Sequence, residues 1–258
     1  MLIDTHAHYE DKAFDADRDE IINKLKSENI IAVNVGATVG SAFAAVELSE
    51  KYDNIYAAIG VHPDEIGELT DEVLNKFLEL SQNTKVVAIG EIGLDYHWDV
   101  HSHEEQMESF IKQIHLAKEA KLPVNIHSRD AAEDTMNVIK AEYDERLKGI
   151  VHCYSYSLEH AKIYARMGFM FGIGGVATFS NAKKLKEVIE YVPIEQIVLE
   201  TDTPYLAPTP HRGERNSSLY LPYVVKAIAE IKKLDEVFVA EQTTLNARKI
   251  YHKMDVAR

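Results

Sequence analysis

Eight short runs rich in valine and isoleucine, each followed by a longer charged stretch, constrain this chain more than any other feature. The runs occupy residues 2–3, 30–35, 55–59, 86–89, 124–126, 150–151, 170–173 and 197–199. The stretches between them read as amphipathic helices: ADRDEIINKLKSE, DEVLNKFLELSQ, EQMESFIKQIHLAKEA and NAKKLKEVIEYV among them. In the third, Met107, Phe110, Ile111, Ile114 and Ala117 fall at helical spacing with charges between. Ser102 with Glu105, and Asp130 with Glu133, fit capping boxes at helix starts. Strands alternating with helices pair in parallel, and unbroken apolar strands are buried on both faces. Eight such units in 258 residues predict an α/β fold, a (β/α)8 TIM barrel. An open doubly wound sheet often carries a glycine-rich turn after its first strand; here the first strand runs into His-Ala-His. Residues from about 236 to 252 read as an extra C-terminal helix on the outside. No Ser/Gly linker or charge block divides the chain, so residues 1–258 are expected to form a single domain.

Composition removes several function classes. No apolar run is long enough to span a bilayer. No basic region precedes an apolar stretch at the start, so no secretory signal is read there. The lone cysteine, Cys153, cannot form an internal disulfide, and a cytoplasmic protein is expected. The net charge of −14 argues against a broad basic footprint on nucleic acid. It leaves open a local site where bound metal ions supply the positive charge.

In such a barrel the chemistry sits at the C-terminal ends of the strands. His6 and His8 follow the first run, His62 the third, Glu91 and Asp95 the fourth. His127 and Arg129 follow the fifth, His152 the sixth, and Glu200 and Asp202 the eighth. Residues i and i+2 of a strand face the same side, so His6 and His8 can reach one ion. Alone, an H-x-H pair could equally be a tolerated surface pair; the other strand-end donors make it a ligand pair. Imidazole and carboxylate donors suit several divalent metals. Six of them suffice for two ions if one carboxylate bridges. His97, His101 and His103 also cluster, in a loop before a capped helix, and read as loop residues. Cys153 reads as a small buried residue beside a ligand.

LIDTHAHY, VNIHSRDAAED and VLETDTPYL resemble three signature stretches of the TatD family of metal-dependent deoxyribonucleases. GVHP, IGEIGLDYH, HCYS, and HRGERN with the later TTLNARKIY resemble that family too. The likeness runs from residue 1 to about 253. It implies a barrel of the metallo-dependent hydrolase type with a two-metal site. By resemblance, His6, His8, Glu91 and Asp202 would hold one ion, and Glu91, His127 and His152 the other, with Glu91 bridging. The ions would be divalent: zinc, manganese, magnesium, cobalt or nickel. Glu10, Tyr156 and the NSSLY stretch depart from the family pattern without removing a ligand. No lysine stands at the end of the fourth strand, which leans away from phosphotriesterase and dihydroorotase patterns.

The expected function is a deoxyribonuclease that cleaves phosphodiester bonds of DNA with two-metal activation of water. It would be exonucleolytic, or act on damaged or single-stranded DNA. Asp202 and Glu91 would be catalytic, with Asp202 also serving as general base. Arg129 and Arg212 would meet phosphates through planar guanidinium groups. His62 and Tyr154 would touch substrate, with Tyr96 and Tyr156 as further aromatic candidates, although Tyr96 leans toward packing. Asp4 and Asp95 would each orient a ligand imidazole. A metal-dependent hydrolase of an amide, lactone or aminoacyl ester is the enzyme alternative; a non-catalytic metal-binding barrel is the other. DNA is the partner expected, with no membrane and no obligate protein partner; the oligomeric state stays open, and a monomer is compatible with the sequence.

Overall fold

A computed structural model describes residues 1–98 and 100–255 of the chain. The strands are β1 Leu2–Ala7, β2 Ile30–Val35, β3 Ile55–Ile59, β4 Val86–Asp95, β5 Val124–Arg129, β6 Gly149–Val151, β7 Met170–Ile173 and β8 Ile197–Leu199. They form one eight-stranded sheet in sequence order, and every pair along it is parallel. The helices are α1 Arg18–Ser27, α2 Val39–Lys51, α3 Asp71–Leu80, α4 His103–Ala120, α5 Ala132–Glu142, α6 Leu158–Arg166, α7 Lys183–Tyr191, α8 Leu221–Lys232 and α9 Glu236–Ile250. The sheet closes just past β8. The main-chain N–H of Asp202 donates to His6 O at 2.9 Å, that of His8 to Thr203 O at 2.9 Å, and Ala7 bridges Thr203. The fold is a (β/α)8 barrel.

The apolar runs become strands because both faces find partners. In β3, Ile55, Ala57 and Ile59 pack outward with the helices, while Tyr56 and Ala58 pack inward. The inward cluster also holds Ile3, Val33, Val87, Ile150, Met170 and Val198, which fill the barrel's lower half. Ala247 and Ile250 of α9, with Tyr251 and Met254, belong to the same cluster. The C-terminal helix is thus more than an outer addition: its end plugs the barrel floor.

Three strands outrun their apolar runs. β1 continues through Ala7, β4 through Asp95 and β5 through Arg129, carrying polar residues expected in loops. Those residues remain in the ladder because they face the barrel mouth and one another. Pairing shifts register between Asp4 and Ala7 in β1, and between Ile89 and Ile92 in β4. Such irregularities re-aim side chains, and here they bracket His6 and Glu91. The capping box at Ser102 and Glu105 forms as expected. The one at Asp130 and Glu133 does not: α5 starts at Ala132 with no side-chain cap. Asp130 takes a left-handed φ of 54°, and its carboxylate meets His97 Nδ1 at 3.1 Å.

Candidate metal centre

Six donors converge at the C-terminal mouth: His6 from β1, Glu91 from β4, His127 from β5, and His8, His152 and Asp202 from just past β1, β6 and β8. Ligand atoms of His6, His8 and Glu91 lie within 4.8 Å of one another; so do those of Glu91, His127 and His152, and of His6, His152 and Asp202. Glu91 spans the groups with separate oxygens. Its Oε2 is 3.5 Å from His6 Nε2, while its Oε1 is 2.8 Å from His127 Nδ1 and 3.8 Å from His152 Nε2. Asp202 Oδ1 lies 3.4 Å from His8 Nε2, 3.9 Å from His6 Nε2 and 3.8 Å from His152 Nε2.

The donor set fits cations. His8 Nδ1 donates to the carbonyl of Val35 at 2.8 Å, which turns Nε2 toward Asp202 and toward His6 Nε2, 3.1 Å away. Two imidazole nitrogens that close, flanked by two carboxylates, need a positive charge between them. His152 Nδ1 meets Glu200 Oε2 at 3.1 Å, and His127 Nε2 meets Asp95 Oδ2 at 2.9 Å. Such outer bonds fix the ring and tautomer of a metal-binding histidine. His6 Nδ1 is buried with no hydrogen-bond partner among the described residues.

Electrostatics tell the same story. Burial alone would pull the His127 and His152 values down, but Glu91 with Asp95 for the first, and Glu200 with Asp202 for the second, raise both to about 9. Burial opposes His8 too, yet Asp202 and Glu10 hold it well above the usual histidine value. Burial would push Glu91 and Asp202 up, and the surrounding imidazoles outweigh it, so both carboxyls sit below their ordinary range. His6 is lowered by burial and by His152, whose ring stacks on it at 3.5 Å.

The mouth opens into a cavity of about 610 Å³. Glu10, Asp11, Asp64, Glu65, Glu91 and Asp202 line it with His8, His62, His127, His152 and Tyr205; no lysine or arginine does among the described residues. His62 stands edge-on to His127, with ring centroids 4.3 Å apart. Burial, with His127 beside it, lowers its value to about 4. Its Nδ1 accepts the Asp64 N–H at 3.2 Å, which leaves Nε2–H as the donor of the neutral ring.

Other expected contacts fall elsewhere. Tyr154 is only 2% exposed, and its hydroxyl donates to Ser157 O at 2.7 Å. It packs against Tyr164 and Phe171 and is a core residue, which corrects its assignment to substrate. Asp4 touches no imidazole. It accepts the N–H of His6 at 3.2 Å and of Thr201 at 3.0 Å, plus hydroxyls of Thr201 and Ser218 at 2.6 Å each. It therefore fixes backbone at the seam instead of orienting a ring. Arg129 and Arg212 lie outside the cavity lining, exposed at the rim, over the rings of Trp98 (5.4 Å) and Phe179 (4.3 Å). Tyr96 stacks on His103 at 3.4 Å and donates to Asp134 at 2.9 Å, so it packs. The Tyr156 hydroxyl oxygen accepts from Ser128 at 3.1 Å and from the Ala131 N–H at 3.3 Å, so it is held within the fold. His97, His101 and His103 form no metal-ligand group among the described residues. Sequence reasoning missed Tyr205, 56% exposed at the cavity edge, and Trp98, 60% exposed. The signal for Tyr205 was its place three residues after Asp202; for Trp98 it was being the sole tryptophan.

An eight-stranded barrel whose mouth gathers overlapping imidazole and carboxylate clusters belongs to the barrel-type metal-dependent hydrolases. Within that class, the model of the TatD related DNase family matches residues 3–252, and the chain belongs to this family. It is 45% identical to the uncharacterized metal-dependent hydrolase YabD of Bacillus subtilis, over 97% of this chain and 99% of that one. It is 34% identical to the uncharacterized metal-dependent hydrolase TatD of Mycobacterium tuberculosis, over 97% of each. The crystal structure of YJJV, a TatD homologue from Escherichia coli K12, superposes with a TM-score of 0.90 at 28% identity, covering 97% of this chain and 98% of that one. No helix among the described residues is long and apolar enough to cross a membrane.

Proposed function

We propose that this hydrolase cleaves phosphodiester bonds of DNA, acting at single-stranded ends or on damaged DNA, with two divalent ions held by the clustered donors. The observation that carries the reading is Glu91, whose two oxygens address separate imidazole groups, His6 on one side and His127 with His152 on the other. When bound, a pair of divalent ions supplies charge to draw in a phosphodiester and acidity to make water a nucleophile near neutral pH. His6, His8, Glu91 and Asp202 would hold one ion; Glu91, His127 and His152 the other. Asp202 is kept ionised by the imidazoles around it, so it would take the proton of the attacking water. His62, neutral near pH 7, would offer Nε2–H to an oxygen of the substrate. The family's description as TatD related DNase supports the choice of substrate.

One observation favours a second reading. The cavity wall carries six carboxylates and no lysine or arginine among the described residues, which also suits a less anionic substrate such as an aminoacyl ester with a free amine. One preparation, loaded in turn with manganese, magnesium, zinc, cobalt and nickel, decides between them. It is given end-labelled DNA and RNA, a small phosphodiester and an ester panel, with Asp202→Ala as control. DNA cleavage lost in the control supports the nuclease. Ester hydrolysis without cleavage of any phosphodiester rejects it.

A further inference from the structure

The acid-lined cavity raises a question for the nuclease reading: what holds the rest of an anionic strand, beyond the reach of the ions? The described lining offers no lysine or arginine. The rim does. Arg129 is the last residue of β5, two beyond His127, roughly 7 Å further along the strand. That distance is on the scale of one extended nucleotide. Its guanidinium lies over the indole of Trp98, 5.4 Å from the ring centroid. Two acids beside it are engaged: Asp130, the next residue, with His97 at 3.1 Å, and Asp95, its register partner on β4, with His127 at 2.9 Å. Trp98 itself is 60% exposed, while His97 stands edge-on to it at 4.7 Å, 87° between planes. A large apolar ring held in water beside a stacked cation has the two elements that single-stranded nucleic acid needs: a stacking face and a phosphate donor.

We propose that Trp98 and Arg129 form a subsite for the nucleotide next to the scissile phosphate, the indole stacking on its base and the guanidinium meeting its phosphate. The subsite deepens the nuclease reading and rests on it. It assigns the chain's sole tryptophan a ligand, and that makes the idea directly readable. The test uses the full-length, manganese-loaded protein and a short phosphorothioate oligothymidylate that resists cleavage. Stacking should quench the tryptophan emission saturably. In parallel, kcat/KM is measured for an oligothymidylate and for thymidine 5′-p-nitrophenyl phosphate. Trp98→Ala should lower the ratio of the two by roughly tenfold, through KM on the oligonucleotide; Trp98→Phe should restore most of it. Arg129→Gln should lower the same ratio and weaken its dependence on salt. Unchanged emission on saturation with oligonucleotide, or an unchanged ratio in Trp98→Ala, overturns the subsite while hydrolysis of the small diester leaves the nuclease standing. Failure to hydrolyse either phosphodiester overturns both.

Discussion

Glu200 shows how much of the site depends on residues outside the six proposed ligands. Its Oε1 accepts the N–H of Cys153 at 2.7 Å and its Oε2 meets His152 Nδ1 at 3.1 Å, so it sets both the loop and the ring. Glu200→Gln can keep the first bond but turns an amide NH2 toward an imidazole N–H, and the ring must swing or change tautomer. We expect metal affinity to fall 10- to 100-fold with the circular dichroism spectrum intact, measured by competition with a chromogenic chelator. Protonation gives a second prediction at this scale. His127 and His152 have values near 9 in the folded metal-free protein, against 6.5 when unfolded. Their stabilising charge is complete below about pH 6.5 and fades as pH rises through 9. Ions must displace those protons, so apparent affinity should climb across the same interval and level off above it. Calorimetry in buffers of different ionisation enthalpy would register the released protons; affinity flat from pH 6.5 to 9 would contradict the assignment. The clustering of these donors was legible in the sequence because strand-end histidines and carboxylates have few other reasons to recur. Tyr154 was not, since an aromatic beside His152 reads the same whether it faces the mouth or the core. Asp4 misled for a related reason: sharing the side of His6 along a strand does not reveal that a hydroxyl pair from residues 201 and 218 will claim its carboxylate.

Among the elements, β4 depends most on its small residues. Glu91, Gly93 and Asp95 recur at every second position, and a Cβ on Gly93 would collide with the carbonyl oxygen of His127. The absent side chain lets β5 approach, so that the imidazole of His127 lies between the two carboxylates. Helix α9 works at the opposite end. Tyr251, just past it, donates its hydroxyl toward Asn125 Oδ1 at 2.8 Å and Thr5 O at 3.2 Å, inside the barrel. Tyr251→Phe leaves Asn125 Oδ1 without that donor. It should cost about 1–3 kcal/mol by urea denaturation, because a buried acceptor is left unpaired. A loss within error would mean that water replaces the hydroxyl. The strands' existence and order were legible from the apolar runs. Their ends were not, because β1, β4 and β5 continue as polar residues whose reason to stay extended is the mouth they build. The floor plug was invisible for a different reason: periodicity shows that α9 has an apolar face, not which surface receives it.

At the level of the whole molecule, the charge of −14 and the acid-lined cavity set the terms of any encounter with nucleic acid. No lysine or arginine lines the cavity among the described residues, and the two arginines proposed to meet phosphate, Arg129 and Arg212, each lie over an aromatic ring. Few phosphate contacts mean few released counterions. The logarithm of affinity for a single strand should therefore fall with the logarithm of salt at a slope of only about −1.4, for two contacts. Fluorescence titration between about 50 and 200 mM salt measures it; a slope several times steeper would reveal a basic surface that the mouth lacks. The family was legible from the motif set across the chain, and substrate range was not: of the departures from the pattern only Glu10 lines the cavity, while Tyr156 and Ser218 bond within the fold.

The barrel seam carries one further consequence. Its closing bonds join the first strand to the stretch after the last, with Asp4 holding the N–H of Thr201 across 197 residues of sequence. His6, His8 and Asp202 sit on the two lips of that seam. An ion gripped by all three would be a clasp on one of the long loops the chain has to close, and loops of that length are where a cross-link restricts the open chain most. Metal affinity is then a measure of how firmly the ring is shut, and a chelator works on the hinge of the molecule as well as on its chemistry.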